Sequence, residues 1–509
     1  MALVVRLAGY NVDADLLKDV QDLLQHLERF SADGSGSLSQ DDCKQILEIV
    51  SDKLRNSMSL ESFTPETISA AYARISRDPK QVTELRRAAR FGVARARKSN
   101  ENIIFGLGHS SVAEHACFNF DVLGLSRLAS EELQSHRLLS FTEKSQRYIT
   151  ISSSFVIPPE LIGTEWEARF NATVPPLFEA YQEISNQLER LYIESAAKTL
   201  SDIEVRDLAT RAKEDARYLL PLCCTTQMGV TMNARNVEHV VRDLSDHPLA
   251  ELRDLGQKLY DSVHHLAPSL IKYVARGSYP RLNRRNLVQG FGSPGDFQIS
   301  SGNIDQPKAR LLDFSPNGEQ RILEALAFSL GKSLPSDSTA ELWKDIFRNM
   351  GEHDSVPREF ELATMTFDAT ISASCFAQLK RHRMMTLLRS PYRVQDASVI
   401  PPSVTTAGLK DPFTNALISA QRIAEELSKE HERLAPYLLT NAQTLRVRIQ
   451  ANARELYHFA RLRCDSHAQW EIRSLADQML AEARRVWPNL FTLACGKDTF
   501  AETYQKYFG

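Results

Sequence analysis

The sequence predicts an α+β fold, helix-rich overall, built as two tandem domains that each combine a small sheet with long helices. Three observations predict it. Short segments recur in the same order along the two halves of the chain. Runs with strand character are few, and most of the remaining chain carries apolar residues at helical spacing. A few strands among runs of helices suit α+β better than a regularly alternating doubly wound sheet.

The repeat rests on three matches. Ser135-His136-Arg137 closes one predicted helix and Arg381-His382-Arg383 closes another. Arg147-Tyr148 precedes Val156-Ile157-Pro158-Pro159, and Arg393 precedes Val399-Ile400-Pro401-Pro402. Asn233-Ala234-Arg235 returns as Asn452-Ala453-Arg454. The offsets lie between about 219 and 246 residues, which points to a duplication. The first domain is placed at 1–285 and the second at 307–509. The Gly, Pro, Ser and Asn-rich stretch 286–306, with Gly290-Phe291-Gly292-Ser293-Pro294-Gly295, reads as a linker.

Leu3 to Leu7 opens the first copy as a strand, and Ala309 to Phe314 opens the second. Residues 12–80 hold extra helices, with helical spacing in Leu16 to Leu27 and Cys43 to Leu54, the second capped by Ser39 and Asp42. Further strands are expected near 116–123, 147–152, 308–314 and 361–368. Long helices are expected at 166–199, 202–220, 246–267, 413–430 and 442–485.

Composition excludes several classes. The net charge of −3 offers no general polyanion surface, so no nucleic-acid partner is expected. No run of 18 apolar residues occurs, so no membrane span is expected either. Seven cysteines without a CxxC pair read as free thiols of a reducing cytoplasm, with no metal site.

The densest chemistry lies between Asn452 and Arg473, expected as one helix. Asn452 and Arg463 are eleven residues apart, close to three turns, and would share a face, with His467 one turn beyond. Arg454 and His458 form an i,i+4 pair on another edge. An Arg-His-Arg run at a helix end directs guanidinium groups at phosphates, because the planar fork gives two parallel bonds to phosphate oxygens.

This segment resembles the C-terminal signature of the flavin-dependent thymidylate synthases, and the chain looks like a divergent tandem duplication of that family's domain. The resemblance implies two thymidylate-synthase-complementing-like domains. It implies FAD contacts at Asn452, Arg454 and His458. It makes Arg463 the catalytic residue, touching dUMP and activating its uracil ring. The first copy reads Ser135-His136-Arg137-Leu-Leu-Ser140-Phe-Thr142-Glu143-Lys-Ser145-Gln146-Arg147-Tyr148, where the family has Arg-His-Arg and then Ser, Asn-Glu, Ser and Arg-Tyr. The resemblance implies dUMP contacts at Glu143, Ser145, Gln146 and Arg147, and at Arg217, sixteen residues before Asn233. Gly108 to His115 matches the Gly-His…Glu-His segment and implies flavin contacts at His109 and Ser111, with Arg137. The second copy keeps Arg381, His382 and Arg383 on the flavin side and Gln378 for dUMP, but carries Arg389, Pro391 and Pro436 where the first has Glu143, Ser145 and Arg217.

The losses are complementary, so one composite site is expected, joining the first-copy loop to Arg463. The family's single-domain tetramer would become a homodimer of tandem chains. The implied reaction is reductive methylation of dUMP to dTMP. FAD is the implied cofactor, with methylenetetrahydrofolate and NADPH as co-substrates. Two other readings stay open: a divergent flavoenzyme on another pyrimidine nucleotide, and a non-catalytic nucleotide- or FAD-binding homologue.

Overall fold

The computed structural model describes residues 2–31, 39–56, 60–196, 200–275, 287, 290–291, 303–304, 306–335 and 339–509. Most of the expected linker 286–306 lies outside them. The chain divides into two compact units. One comprises Met1–Lys144, Pro158–Glu160 and Thr225–Gly290, the other Ser145–Ile157, Leu161–Cys224 and Phe291–Gly509. These units do not follow the sequence halves: much of the first copy between Ser145 and Cys224 belongs to the unit that holds the second copy.

The first unit is built on strands β1 (Val4–Tyr10), β2 (Cys117–Ser126), β3 (Ser140–Glu143) and β4 (Thr225–Asn233). The second holds β5 (Asn303–Ile304), β6 (Lys308–Phe314), β7 (Thr364–Ser372), β8 (Thr386–Arg389), β9 (Ser398–Val399) and β10 (Thr444–Asn452). Each unit has one four-stranded antiparallel sheet, in the orders β1-β2-β4-β3 and β6-β7-β10-β8. The registers repeat too. Cys117 pairs with Asn233 in one and Thr364 with Asn452 in the other, and both opening strands slip register after a leucine, Leu7 or Leu311. The duplication inferred from motifs is therefore present in the hydrogen-bond pattern.

Both β4 and β10 alternate. Thr226, Met228, Val230 and Met232 are buried, as are Leu445, Val447, Ile449 and Ala451, with Arg448 and Gln450 outward. This period of two puts one face on the core. It corrects the expected helix 442–485, whose first residues are strand. The rest splits into two helices, Ala453–Arg463 and Trp470–Val486. Asp465 causes the break. Its carboxylate takes the backbone N–H and the ring of His467 at 2.9 and 2.8 Å, an alternative to the helical ladder. His467 is thus off the helix, and Asn452 is its N-cap, accepting from Glu455 N at 2.8 Å.

The expected strand 147–152 is a turn and coil, because Ser145 Oγ accepts the Arg147 N–H at 3.1 Å. The strand that does form nearby in sequence is β3, paired with β4, which the sequence reading missed, as it missed β8. The strand expected at 361–368 starts at Thr364, preceded by a 3-10 turn. The remaining long helices settle at Glu165–Glu194, Asp202–Ala216, Ala250–Val263 and Lys410–His431. The extra segment forms helices Ala14–Ser31 and Gln40–Asn56, and Ser39 and Asp42 cap the second reciprocally at 2.9 and 3.1 Å.

Inside the second unit the two copies meet symmetrically. Leu222 N–H donates to Leu439 O at 2.7 Å and Asn441 N–H to Leu220 O at 2.9 Å. Cys223 N–H donates to Tyr437 O at 2.9 Å and Ala442 N–H to Tyr218 O at 2.9 Å. Each bond repeats the other at an offset of 219 residues, as an isologous contact about a two-fold axis requires. The helix Glu165–Glu194 packs on Lys410–His431, with Trp166 Nε1 donating to Glu430 at 3.0 Å and Arg169 paired with Glu426.

Candidate active site

Four guanidinium groups gather in the second unit. Arg463 ends the helix that Asn452 caps. Its Nε donates to His382 Nε2 at 2.9 Å, and its Nη2 to the Gln378 carbonyl at 3.4 Å. Burial, then the charges of Arg147 and Arg381, hold its pKa below the usual guanidinium value. Arg147 comes from the first copy. It is paired with Glu214, and its Nη2 lies 3.5 Å from the His467 carbonyl. Arg217 is only 5% exposed, and its charge reaches both Glu471 and Cys375, the thiol that Arg463 also influences. Arg147 and Arg463 are thus near enough to influence each other, while Arg217 and Arg463 share the influence on Cys375.

The loop that carries Arg147 is pinned to the second copy. Asn441 Nδ2 donates to Gln146 Oε1 and to Arg217 O, both at 3.0 Å. His382 follows the helix Ala373–Leu379 and is buried. Burial, aided by Arg463, lowers its pKa although Glu455 stands 3.6 Å from Nδ1. It is therefore neutral, which lets Nε2 accept from Arg463. Arg381 and Arg383 are exposed beside it.

The equivalent point of the first unit has the opposite sign. His136 Nε2 lies 3.4 Å from Asp243. Burial pulls the His136 pKa down, but the hydrogen bonds and charge of Asp243 outweigh it and leave it raised. An imidazole that accepts from Arg463 in one copy is paired with a carboxylate in the other. Glu143, expected on dUMP, sits in this unit with its side chain 1% exposed. It is enclosed by Arg127, Gln134 at 2.9 Å, Thr226 at 3.1 Å and Ser130 at 3.3 Å. Its carboxylate holds the sheet to the helix Arg127–Leu133. His109 and Arg137 are exposed, with His109 Nε2 3.3 Å from Arg77, and Ser111 lies on a 3-10 turn.

Asn452, Arg454 and His458 line a cavity of about 180 Å³ with Asp354, Glu361, Glu455 and Arg461. Asn452 Oδ1 is committed to its cap. Arg454 donates to Glu361 at 2.8 Å and to Val356 O at 3.1 Å. Ligand cavities usually run from about 300 to 1,000 Å³. Three carboxylates also oppose a pyrophosphate, so this cavity by itself does not fit FAD.

Sequence reasoning missed the buried carboxylate that supports the site. Glu471 accepts from Ser372 N and Oγ at 2.8 and 2.5 Å and from Tyr218 Oη at 2.5 Å. Burial raises its pKa against those bonds and Arg217. The first unit repeats the device, with Glu251 accepting from Ser126 N and Oγ at 2.6 and 2.7 Å. The repeat Glu251-Leu252-Arg253 and Glu471-Ile472-Arg473 was its signal in the sequence.

The family model described as thymidylate synthase complementing protein matches residues 59–269 and 310–489. The UPF0159 protein Ta1429 of Thermoplasma acidophilum is 24% identical over 472 residues, covering 83% of this chain and 93% of that protein. The flavin-dependent thymidylate synthase of Clostridium tetani is 30% identical over 236 residues, covering 45% of this chain and 89% of that one. The UMP/dUMP methylase PolB from Streptomyces cacaoi, solved with 5-Br dUMP, is 21% identical. It covers 38% of this chain and 98% of its own, at a TM-score of 0.33. No described helix is long and apolar enough to cross a membrane.

Proposed function

Because the chain belongs to the family of thymidylate synthase complementing proteins, we propose that it is a FAD-dependent thymidylate synthase. It methylates dUMP reductively to dTMP, with methylenetetrahydrofolate and NADPH as co-substrates. The observation that carries the reading is that the partly buried Arg463 is repelled by Arg147 and the exposed Arg381, with the buried Arg217 acting on the same Cys375, so that a bound anion is favoured. A nucleotide monophosphate supplies that anion, and the flavin in the relative's name supplies the companion chemistry.

In this reading Ser145, Gln146, Arg147 and Arg217 hold the nucleotide, and Gln378 and Arg463 meet its base. Arg463 stabilises negative charge on the pyrimidine ring, an effect worth about 3–4 kcal/mol by analogy with lost oxyanion-hole donors. His382 holds Arg463 in place as a neutral acceptor. A reduced flavin, when bound, would supply hydride chemistry. Within the second unit the residues proposed on its side are Arg381, His382, Arg383, Asn452, Arg454 and His458; within the first unit, taken by itself, His109, Ser111 and Arg137 are proposed as flavin contacts. Since the Asn452 cavity alone does not accommodate FAD, no step is assigned through it. A homodimer of tandem chains is proposed from the family's tetramer alone, countable by light scattering.

A nucleotide-binding homologue without catalysis is the second reading, favoured by the engagement of Asn452 and Arg454. Rescue of a thymidine auxotroph, with tritium release from 5-tritiated dUMP, separates the two. Rescue and release support the synthase. A chain that binds dUMP but does neither supports the homologue.

A further inference from the structure

Gln378 is buried next to the arginine cluster, since its own carbonyl takes Arg463 Nη2. The orientation of its amide is set by a chain of hydrogen bonds with fixed polarity. Gln469 is the N-cap of the helix Trp470–Val486, so its Oε1 must face the N–H groups of Glu471 and Ile472, at 3.1 and 3.4 Å. Its Nε2 then donates to Tyr218 Oη at 2.9 Å. Tyr218 can accept because its own proton goes to Glu471 Oε2 at 2.5 Å. The same Gln469 Oε1 lies 3.3 Å from the Gln378 amide, so the atom facing it is the nitrogen, Nε2. That leaves Gln378 Oε1, which is buried and has no donor among the described residues. A buried acceptor without a partner is costly to the fold and marks a place where a ligand brings the donor.

We infer that Gln469 is a positioning residue that fixes the Gln378 amide with its oxygen as the unpaired atom, so that the site selects a pyrimidine carrying an N3–H. This rests on the nucleotide reading above and adds the residue that would enforce its choice of base. Uracil donates from N3, whereas N3 of cytosine is a lone pair that would face the Gln378 oxygen. A freely turning amide would serve either base. Tyr218 belongs to the first copy and Gln469 to the second, so both copies set the selection. At the duplicate positions stand Leu249 for Gln469 and Glu132 for Gln378, so the first copy does not repeat this pair.

The test is equilibrium binding of dUMP and dCMP to the intact chain by calorimetry, with Gln469→Ser as the variant. Serine still caps the helix but is too short to reach Gln378 or Tyr218. The expected result is a wild-type preference for dUMP that falls roughly tenfold or more in Gln469→Ser, read at a temperature where a thermal melt shows the variant folded. A residue that merely caps the helix would leave the preference intact, and that result overturns the inference. Gln378→Met, which removes the acceptor, is expected to weaken dUMP and spare dCMP; equal loss for both would also overturn it. If the wild type binds dUMP and dCMP alike, the selection fails while the nucleotide reading stands. If it binds neither, both fail.

Discussion

Replacing Arg463 with methionine separates a structural from a ligand-binding role. The guanidinium gives two hydrogen bonds, to His382 Nε2 at 2.9 Å and to the Gln378 carbonyl at 3.4 Å. Their loss costs about 1 kcal/mol each. Against this, the variant removes a partly buried cation that Arg147 and Arg381 repel, and methionine keeps most of the packed stem. The two effects oppose, so stability should change by no more than about 1 kcal/mol, a few degrees in melting temperature for domains of this size. Binding has no such compensation. A lost hydrogen bond from a charged donor is worth about 1.5–3 kcal/mol, so the dUMP dissociation constant should rise roughly 10- to 150-fold. Calorimetric titration with dUMP and a thermal melt on the same sample read both quantities. A variant that melts much lower yet binds dUMP normally would refute the reasoning and leave Arg463 a structural residue.

Three further outcomes follow from the same geometry. His382 has a lowered pKa in the fold, so its contribution is complete above the unfolded value near 6.5 and is lost as pH falls below it; His382→Asn should flatten that acid-side loss in a melt-against-pH series. A Cβ at Gly318 would lie 2.4 Å from the Trp487 ring, so Gly318→Ala should cost about 1–3 kcal/mol in denaturant unfolding. Ser201 and Glu204 form a full capping box, and Ser201→Ala should cost about 1 kcal/mol while leaving dUMP affinity unchanged.

The duplication was legible because its motifs sit where side chains have fixed duties. Asn233 and Asn452 cap equivalent helices, and the His136 and His382 segments follow equivalent short ones. The Ser39 cap was legible for the same reason. The strand β10 was visible as a period of two in Leu445, Val447, Ile449 and Ala451, but the dense helical signature after Asn452 drew the helix back over it. The four-residue strands β3 and β8 are too short to show a period at all. For the site, the family resemblance pointed to nucleotide contacts at Arg147, Arg217 and Arg463. It could not show that Glu143 is enclosed by Arg127, Ser130, Gln134 and Thr226, because those partners are scattered in sequence and only pairing of β3 with β4 assembles them. The support by Glu471 and Gln469 is likewise tertiary, and only its repeated Glu at 251 and 471 was written in the chain.

The central claim is that arginines of one copy and Arg463 of the other hold a single nucleotide, which makes duplicate positions unequal. Arg147 and Arg393 are such duplicates, so the most direct measurement is dUMP affinity in Arg147→Ala beside Arg393→Ala. The account predicts a loss of at least about tenfold for Arg147→Ala and wild-type affinity for Arg393→Ala. Loss in Arg393→Ala with normal binding in Arg147→Ala would contradict it.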